Sequence, residues 1–560
     1  MTAAKVALAQ INAAVGDFAG NSRLIEAYAR KAAQSGANVL LTPELALAGY
    51  PPEDLLLRPS FQELQERTLD ELAAKIADLK GLAVVVGHVH VNDGKIYNAA
   101  SVLLEGKIVG TYCKHALPNY GVFDEQRYFA QGTEPFVFEH AGIGFGINIC
   151  EDVWIKGPGL QARDAGAQCM LVLNASPFHM GKFTTRIDMV RRYVERTGTG
   201  VVYVNLCGAQ DELIFDGLSF VMDRLGHCAG HMPAFEEGMA VVEVGAGAAM
   251  TCTEGPWEPL LSEEDFNARH LSMVWQALVT GVRDYVHKNG FKDVLIGLSG
   301  GVDSALVLAI AVDALGPEHV MTVMMPSVYT ADISMIDAQD MAKRLGVRYE
   351  VIPIGEVTNQ FEAALSGIFK GREPDTTEEN IQARVRGTLL MAISNKFGSL
   401  VLTTGNKSEL ATGYCTLYGD MAGAYAVIKD VPKTLVYRLA HWRNREQEII
   451  PLRILTRAPS AELRSNQTDQ DSLPPYEVVD AIIEAYVERN LPVSHLIGMG
   501  LDPQAVEQVV RLIRINEYKR RQAAPGPKVT VRAFGRDWRY PLSNAFREPP
   551  GALTRPGSAV

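Results

Sequence analysis

The chain has 560 residues, 47% of them hydrophobic and 21% charged, with a formal net charge of −12. A single core stops growing at roughly 250–300 residues, so two domains are expected. The composition excludes a disordered or fibrous chain, and the acidic balance speaks against a general binder of nucleic acid or membrane surfaces.

The cysteines, Cys113, Cys150, Cys169, Cys207, Cys228, Cys252 and Cys415, are scattered and show no C-x-x-C spacing. That predicts neither a disulfide framework nor a zinc site, and places the protein in a reducing, cytoplasmic compartment. The opening MTAAKVALAQ has no secretory apolar segment, and no apolar run is long enough to span a bilayer.

In chain order, KVALAQ reads as a strand and NSRLIEAYARKAAQSGA as a helix capped by Asn21. NVLLTPEL, LAVVVGHVHV, ASVLLEGKIVGTY, FGINIC, CMLVLNAS, VVYVNLCG, LSFVMDR and AVVEV are further strands, rich in Val and Ile. Many strands with few helices between them predict stacked sheets with helices outside. Residues 246–263 are rich in Gly and Pro without periodicity and read as a linker, which ends a first domain at residue 245. After it, a helix (NARHLSMVWQALVTGVRDYVHKNG) leads into regular alternation of strand and helix: DVLIGLS, HVMTVMMPS, SMIDAQDMAKRLG, RYEVIPI. That alternation predicts a doubly wound parallel sheet over residues 264–540. Residues 541–560, again rich in Pro and Gly, read as a loose tail.

Three segments of the first domain carry its chemistry: LLTPELALAGYPPEDLLL with Glu44, TYCKHALPNYGVFDEQRYF with Lys114, and FGINICEDVW with Cys150. Cys150 by itself reads as a buried core cysteine, the usual state of a free thiol. Together the three resemble the nitrilase, or carbon–nitrogen hydrolase, superfamily, and that resemblance implies an αββα sandwich with a Glu–Lys–Cys triad. Amide hydrolysis assigns the roles. Cys150 attacks the carboxamide carbon, Glu44 takes the thiol proton and returns it to the leaving ammonia, and Lys114 stabilises the oxyanion with the backbone N–H after Cys150. A cation beside the thiol is expected to lower its pKa. Glu151 and Glu125 are further polar candidates. The resemblance also implies that Tyr120, Ser176 and Lys182 hold L-glutamine, Lys182 against the α-carboxylate.

The sharpest local signal of the second domain is GLSGGVDS, residues 297–304, between an apolar strand and an apolar helix. Gly297, Gly300 and Gly301 allow a tight turn, the helix start offers free N–H groups, and Ser299 and Ser304 offer hydroxyls to phosphate. Asp303 would repel a bare phosphate but can hold Mg²⁺. The segment also fits the G-x-S-x-G nucleophile elbow with Ser299, or an ordinary Gly-rich turn. It lacks the Walker A spacing. It resembles the SGGxDS signature of the ATP-pyrophosphatase families, which implies that the whole loop, Leu298 and Val302 included, binds ATP.

Residues 379–434, PSAELRSNQTDQDSLPPY and EYKRRQAAPGPKV are similar to the NAD synthetase family. This implies a Rossmann-like domain of the adenine-nucleotide α-hydrolase type. Thr404, at a strand end, would contact ATP, and Glu409 would join Asp303 around Mg²⁺. Asn380, Glu409 and Lys519 would contact deamido-NAD⁺, with Asp420 and Lys433 nearby. Each Lys or Asp among them, taken alone, reads as a solvated surface charge. The resemblance implies ATP-dependent amidation of deamido-NAD⁺ in a homo-oligomer, from dimer to octamer, with no nucleic-acid or membrane partner. Fusion of the halves suggests that ammonia passes between them. An amidotransferase with another acceptor, a synthetase fed only by free ammonia, and a nucleotide sensor stay open.

Overall fold

Residues 4–10 alternate in side-chain direction, as a strand demands: Ala4, Val6 and Leu8 point into one core, Ala7 and Ala9 into another. Such a strand must be covered on both faces. The computed structural model describes residues 3–548 apart from 465, 466, 468 and 472. It divides into two units, Met1–Met273 and Val274–Val560.

In the first unit the strands are β1 (Ala4–Gln10), β2 (Val39–Leu41), β3 (Ala83–Asn92), β4 (Lys95–Leu104), β5 (Lys107–Cys113), β6 (Val137–His140), β7 (Ile143–Ile149), β8 (Cys169–Asn174), β9 (Gly200–Asn205), β10 (Cys207–Gln210), β11 (Leu213–Asp216), β12 (Phe220–Met222), β13 (Cys228–His231), β14 (Gly238–Val244) and β15 (Met250–Glu254). One seven-stranded sheet has the order β15-β14-β1-β2-β3-β4-β5, and a six-stranded sheet has the order β13-β12-β9-β8-β7-β6. Val6, Leu8, Val39, Val85 and Val102 from the first share a core with Ile143, Phe145, Ile147, Leu171 and Val202 from the second. Helices α1 (Phe18–Gln34) and α2 (Pro59–Lys75) cover the outer face of the seven-stranded sheet. Helices α3 (Gly157–Asp164) and α4 (Lys182–Thr197) pack against the other sheet. The result is the expected αββα sandwich.

Three local expectations need correction. Asp17, not Asn21, caps α1: its Oδ1 accepts from Gly20 N at 2.8 Å. Asn21 is buried inside the helix, and its amide donates to the carbonyls of Ala14 and Leu47. ASVLLEGKIVGTY is not one strand but the hairpin β4–β5, because Glu105 and Gly106 both take positive φ, 49° and 84°, as a two-residue hairpin turn requires. The expected linker contains β15, paired antiparallel with β14. As a short edge strand it leaves most residues half or fully exposed, which hides its periodicity.

The second unit starts in helix α6 (His270–Lys288), preceded by the short α5 (Glu263–Ala268). Its sheet, ordered β18 (Arg348–Val351), β17 (Val320–Met324), β16 (Val294–Gly297), β19 (Leu400–Thr403), β20 (Tyr425–Ala426), is parallel throughout. Between the strands come α7 (Val302–Leu315), α8 (Asp332–Leu345), α9 (Gly355–Leu365), α10 (Thr376–Phe397) and α11 (Lys407–Thr412), and α12 (Lys433–Arg443) follows the last. From β16 the chain goes outward to β17 on one side, and β19 lies on the other. That reversal opens a crevice at the carboxyl ends of β16 and β19. The expected loose tail, 541–560, runs past the described residues from 549 onward. Among the described residues, no helix is long and apolar enough to cross a membrane.

The shared core predicts that Phe145→Ala destabilises the first unit by about 3–5 kcal/mol in denaturant titration followed by near-UV circular dichroism. A loss below about 1 kcal/mol would mean that the two sheets do not depend on this packing.

Candidate active sites

In the first unit, the chain turns after β2 through Thr42 and Pro43 to Glu44. β3 runs close beneath this turn: a Cβ on Gly87 would stand 2.2 Å from Pro43 O and 2.7 Å from Leu45 N. Only glycine leaves room there. Glu44 Oε1 accepts from Lys114 Nζ at 2.7 Å and from Asn98 Nδ2 at 2.7 Å, and Oε2 accepts from Ala175 N at 2.9 Å. Lys114, just past β5, also donates to both oxygens of Glu125 at 2.8 Å. Glu125 accepts from Tyr50 Oη at 3.0 Å. Lys114 is 0% exposed, Glu44 1% and Glu125 4%. Three ionisable groups therefore share one buried cluster.

Cys150 opens a single 3-10 turn, Cys150–Val153, at the end of β7. It is buried with φ at +44°, a conformation that costs about 1–3 kcal/mol in a non-glycine residue. Burial pushes the thiol well above its ordinary range. Glu44, Glu151 and Glu125 push the same way, and Lys114 opposes them. Lys114 lowers the thiol pKa as expected, but burial first and Glu44 after it outweigh that effect. Burial disfavours charge on Lys114, yet Glu125, Glu44 and Cys150 outweigh it and hold its pKa well above normal. Burial pushes Glu125 upward while Lys114 pulls it down.

Around this cluster, Tyr120 Oη donates to Glu151 Oε2 at 2.9 Å. Ser176 Oγ accepts from Arg186 Nε at 3.1 Å, and Arg186 pairs with Asp216 at 2.7 Å. Lys182 Nζ sits 4.7 Å from the centre of the Trp154 ring. Sequence reasoning missed Asn98, Arg186, Asp216 and Asp152. They lie outside any recognisable spacing, except Asp152, which stands two residues past Cys150.

In the second unit, residues 297–304 lie at the crevice between β16 and β19. Gly300 has φ +81°, and a Cβ there would stand 2.4 Å from Ser334 O. Ser304 Oγ donates to Gly301 O at 3.0 Å, and Gly301 N donates to Ser299 Oγ at 3.2 Å, which shapes the loop. No side chain caps α7, whose start offers N–H donors of the kind an anion site uses. Thr404 directly follows β19 at the same edge.

Asp303 and Glu409 converge on one cation. Lys433 Nζ donates to Asp303 Oδ2 at 2.5 Å and to Glu409 Oε1 at 3.4 Å. Asn406, which caps α11, also donates to Asp303 Oδ1 at 2.9 Å. Burial and Asp303 push Glu409 up to about 8, against Lys433. Two carboxylates that share a cation fit Mg²⁺, which keeps waters and phosphate oxygens as its other ligands. Among the described residues, no three His, Cys, Asp or Glu are grouped to hold a metal alone.

Asn380, Asp420 and Lys519 converge elsewhere, on the loop after α11. Thr416 Oγ1 donates to Asn380 Oδ1 at 2.8 Å, and Thr416 N to Asp420 Oδ1 at 2.7 Å. Lys519 Nζ donates to Gly413 O at 2.7 Å and Cys415 O at 2.8 Å. Burial pushes Asp420 up to about 6. A cavity of about 570 Å³ opens beside this loop, lined by Gly387, Met391, Tyr418, Met421 and Gln522 among others.

The carbon–nitrogen hydrolase family matches residues 5–250, and the NAD synthase family matches residues 274–523. A hydrolase of C–N bonds followed by a nucleotide-using synthase places the chain among the two-domain amide-forming ligases. Glutamine-dependent NAD(+) synthetase of Thermotoga maritima is 46% identical, with 97% of this chain and 99% of that protein covered. That of Acinetobacter baylyi is 45% identical over 98% of this chain and 99% of that protein. The solved structure of glutamine-dependent NAD+ synthetase from Acinetobacter baumannii, in complex with adenosine diphosphate, is 44% identical, covers 98% of this chain and 100% of that chain, and has a TM-score of 0.76. The chain belongs to the family of glutamine-dependent NAD(+) synthetases.

Two measurements follow. Because the Cys150 thiol is raised, its alkylation by iodoacetamide should be slow at pH 7 and accelerate beyond pH 9; a fast plateau below pH 8 would contradict the charge balance. Gly300→Ala should weaken ATP binding at least about tenfold by calorimetry, since the new methyl must displace the Ser334 backbone. Unchanged affinity would show that ATP does not use this loop.

Proposed function

We propose that the chain makes NAD⁺ from deamido-NAD⁺, using ATP and the amide nitrogen of L-glutamine, and releases AMP, pyrophosphate and L-glutamate. The observation that carries this reading is the 46% identity to a glutamine-dependent NAD(+) synthetase over 97% of the chain. The buried Glu44–Lys114–Glu125 cluster beside Cys150 supports the donor half chemically.

In the donor half, Tyr120, Ser176 and Lys182 hold glutamine. The Cys150 sulfur bonds to the carboxamide carbon while its proton passes to Glu44. Because the resting thiol is neutral, this transfer accompanies attack rather than preceding it. Lys114 and the Glu151 N–H stabilise the tetrahedral oxygen. Collapse breaks the C–N bond, and Glu44 returns the proton to the departing ammonia. Water, deprotonated by Glu44, then cleaves the thioester to glutamate and free thiol.

In the acceptor half, ATP lies along residues 297–304 with Thr404 beside it. Mg²⁺ held by Asp303 and Glu409 would neutralise phosphate charge. Asn380, Asp420 and Lys519, with the neighbouring cavity, shape the deamido-NAD⁺ site. The nicotinate carboxylate attacks the α-phosphorus, the bond to pyrophosphate breaks, and ammonia then displaces AMP from the activated carbonyl. Lys433, released from its carboxylates, offsets charge on the α-phosphate. We further propose a cytoplasmic homo-oligomer in which ammonia passes directly between the halves.

With ATP, Mg²⁺ and deamido-NAD⁺, the protein should form NAD⁺ and glutamate in equal amounts from glutamine. Cys150→Ala should lower that rate by at least about 10³-fold yet retain synthesis from ammonium salts. Full activity of the variant with glutamine would remove the donor half from the scheme. Amide-¹⁵N-glutamine should label the product even in excess unlabelled ammonium; full dilution would refute direct transfer.

A further inference from the structure

The turn that carries Cys150 also carries Asp152, whose side chain is fully buried. Its carboxylate accepts four hydrogen bonds. Oδ1 accepts from the backbone N–H of His115 at 3.0 Å and of Ala116 at 2.8 Å. Oδ2 accepts from the backbone N–H of Ile149 at 2.9 Å and from Tyr112 Oη at 2.8 Å. The two residues after Lys114 and the residue before Cys150 thus hang on one side chain. Behind it, Asn148 Nδ2 donates to Tyr112 Oη at 3.3 Å, and Tyr193 Oη donates to Asn148 Oδ1 at 2.7 Å. Every donor in the row points toward Asp152, which the ionised carboxylate, an acceptor only, satisfies fully.

β5, which leads to Lys114, belongs to the seven-stranded sheet, and β7, which ends at Cys150, to the six-stranded one. No backbone ladder joins them. The nucleophile is further held at φ +44°, a conformation that persists only where its surroundings impose it. We propose that Asp152 is the positioning residue of the hydrolase site: it ties the Lys114 strand end to the Cys150 turn and so sets the spacing between oxyanion cation and nucleophile. This rests on the proposed glutaminase reaction, in which Asp152 touches neither substrate nor reacting atom.

The test uses the full chain with Asp152→Asn and Tyr112→Phe. The amide keeps the shape, but whichever way it lies its NH₂ group faces a pair of donors, so one half of the clamp becomes repulsive. Asp152→Asn should lower kcat with glutamine by about 10²-fold, with KM for glutamine changed less than about threefold. Tyr112→Phe, which removes one donor and no charge, should lower kcat by about 3- to 10-fold. NAD⁺ formation from ammonium salts, which bypasses the first unit, should stay within about twofold in both variants. A positioning role moves kcat with glutamine alone. The inference is overturned if Asp152→Asn keeps its glutamine kcat, or if its glutamine and ammonia rates fall in parallel. If Asp152→Asn does not fold, an unchanged kcat in Tyr112→Phe overturns it. A wild-type chain that does not hydrolyse glutamine would instead refute the proposed function.

Discussion

A buried ammonium group must find its charge balance inside the protein, and Lys114 finds it in two carboxylates. Leaving one such ion unpaired costs about 3–5 kcal/mol, which makes the cluster expensive to disturb. Glu44 is anchored through Asn98 on β4 and the Ala175 N–H after β8, and Glu125 through Tyr50. Both sheets of the sandwich thereby contribute to one charged centre. Burial, and after it Glu44, Glu151 and Glu125, push the neighbouring Cys150 thiol above its ordinary range, and Lys114 opposes them.

The second unit solves a related problem with different parts. A parallel sheet that reverses its winding leaves a crevice, and the uncapped start of α7 gives that crevice a positive edge. Asp303 would spoil an anion site if it were bare. Lys433 pairs with it and Asn406 donates to its other oxygen, while Lys433 also reaches Glu409. Two carboxylates thus share one lysine at this edge of the crevice.

The two architectures were legible because their signals are periodic or contiguous. Strand runs rich in Val, regular strand–helix alternation and the 297–304 loop all survive in a single line of letters. Glu44, Lys114 and Cys150 were legible through the segments around them. Asn98, Arg186, Asp216 and Asp152 were not, because each acts through a contact made across the fold. Asn21 misled for a related reason: an Asn followed by Ser imitates a cap, while Asp17 takes that place and the Asn amide serves two carbonyls in the interior. The edge strand β15 was hidden by its own exposure, since without a buried face it shows no alternation.

Gly87 has a consequence for how this sequence can change. The peptide of β3 passes so close to the Pro43–Leu45 turn that the obstacle is main chain, which cannot swing aside as a side chain would. Every single-base change of a glycine codon that encodes another amino acid adds at least a β-carbon. Position 87 is therefore a dead end for gradual drift: neighbouring core positions can exchange one aliphatic residue for another, but this one can move only if the turn that bears Glu44 moves with it.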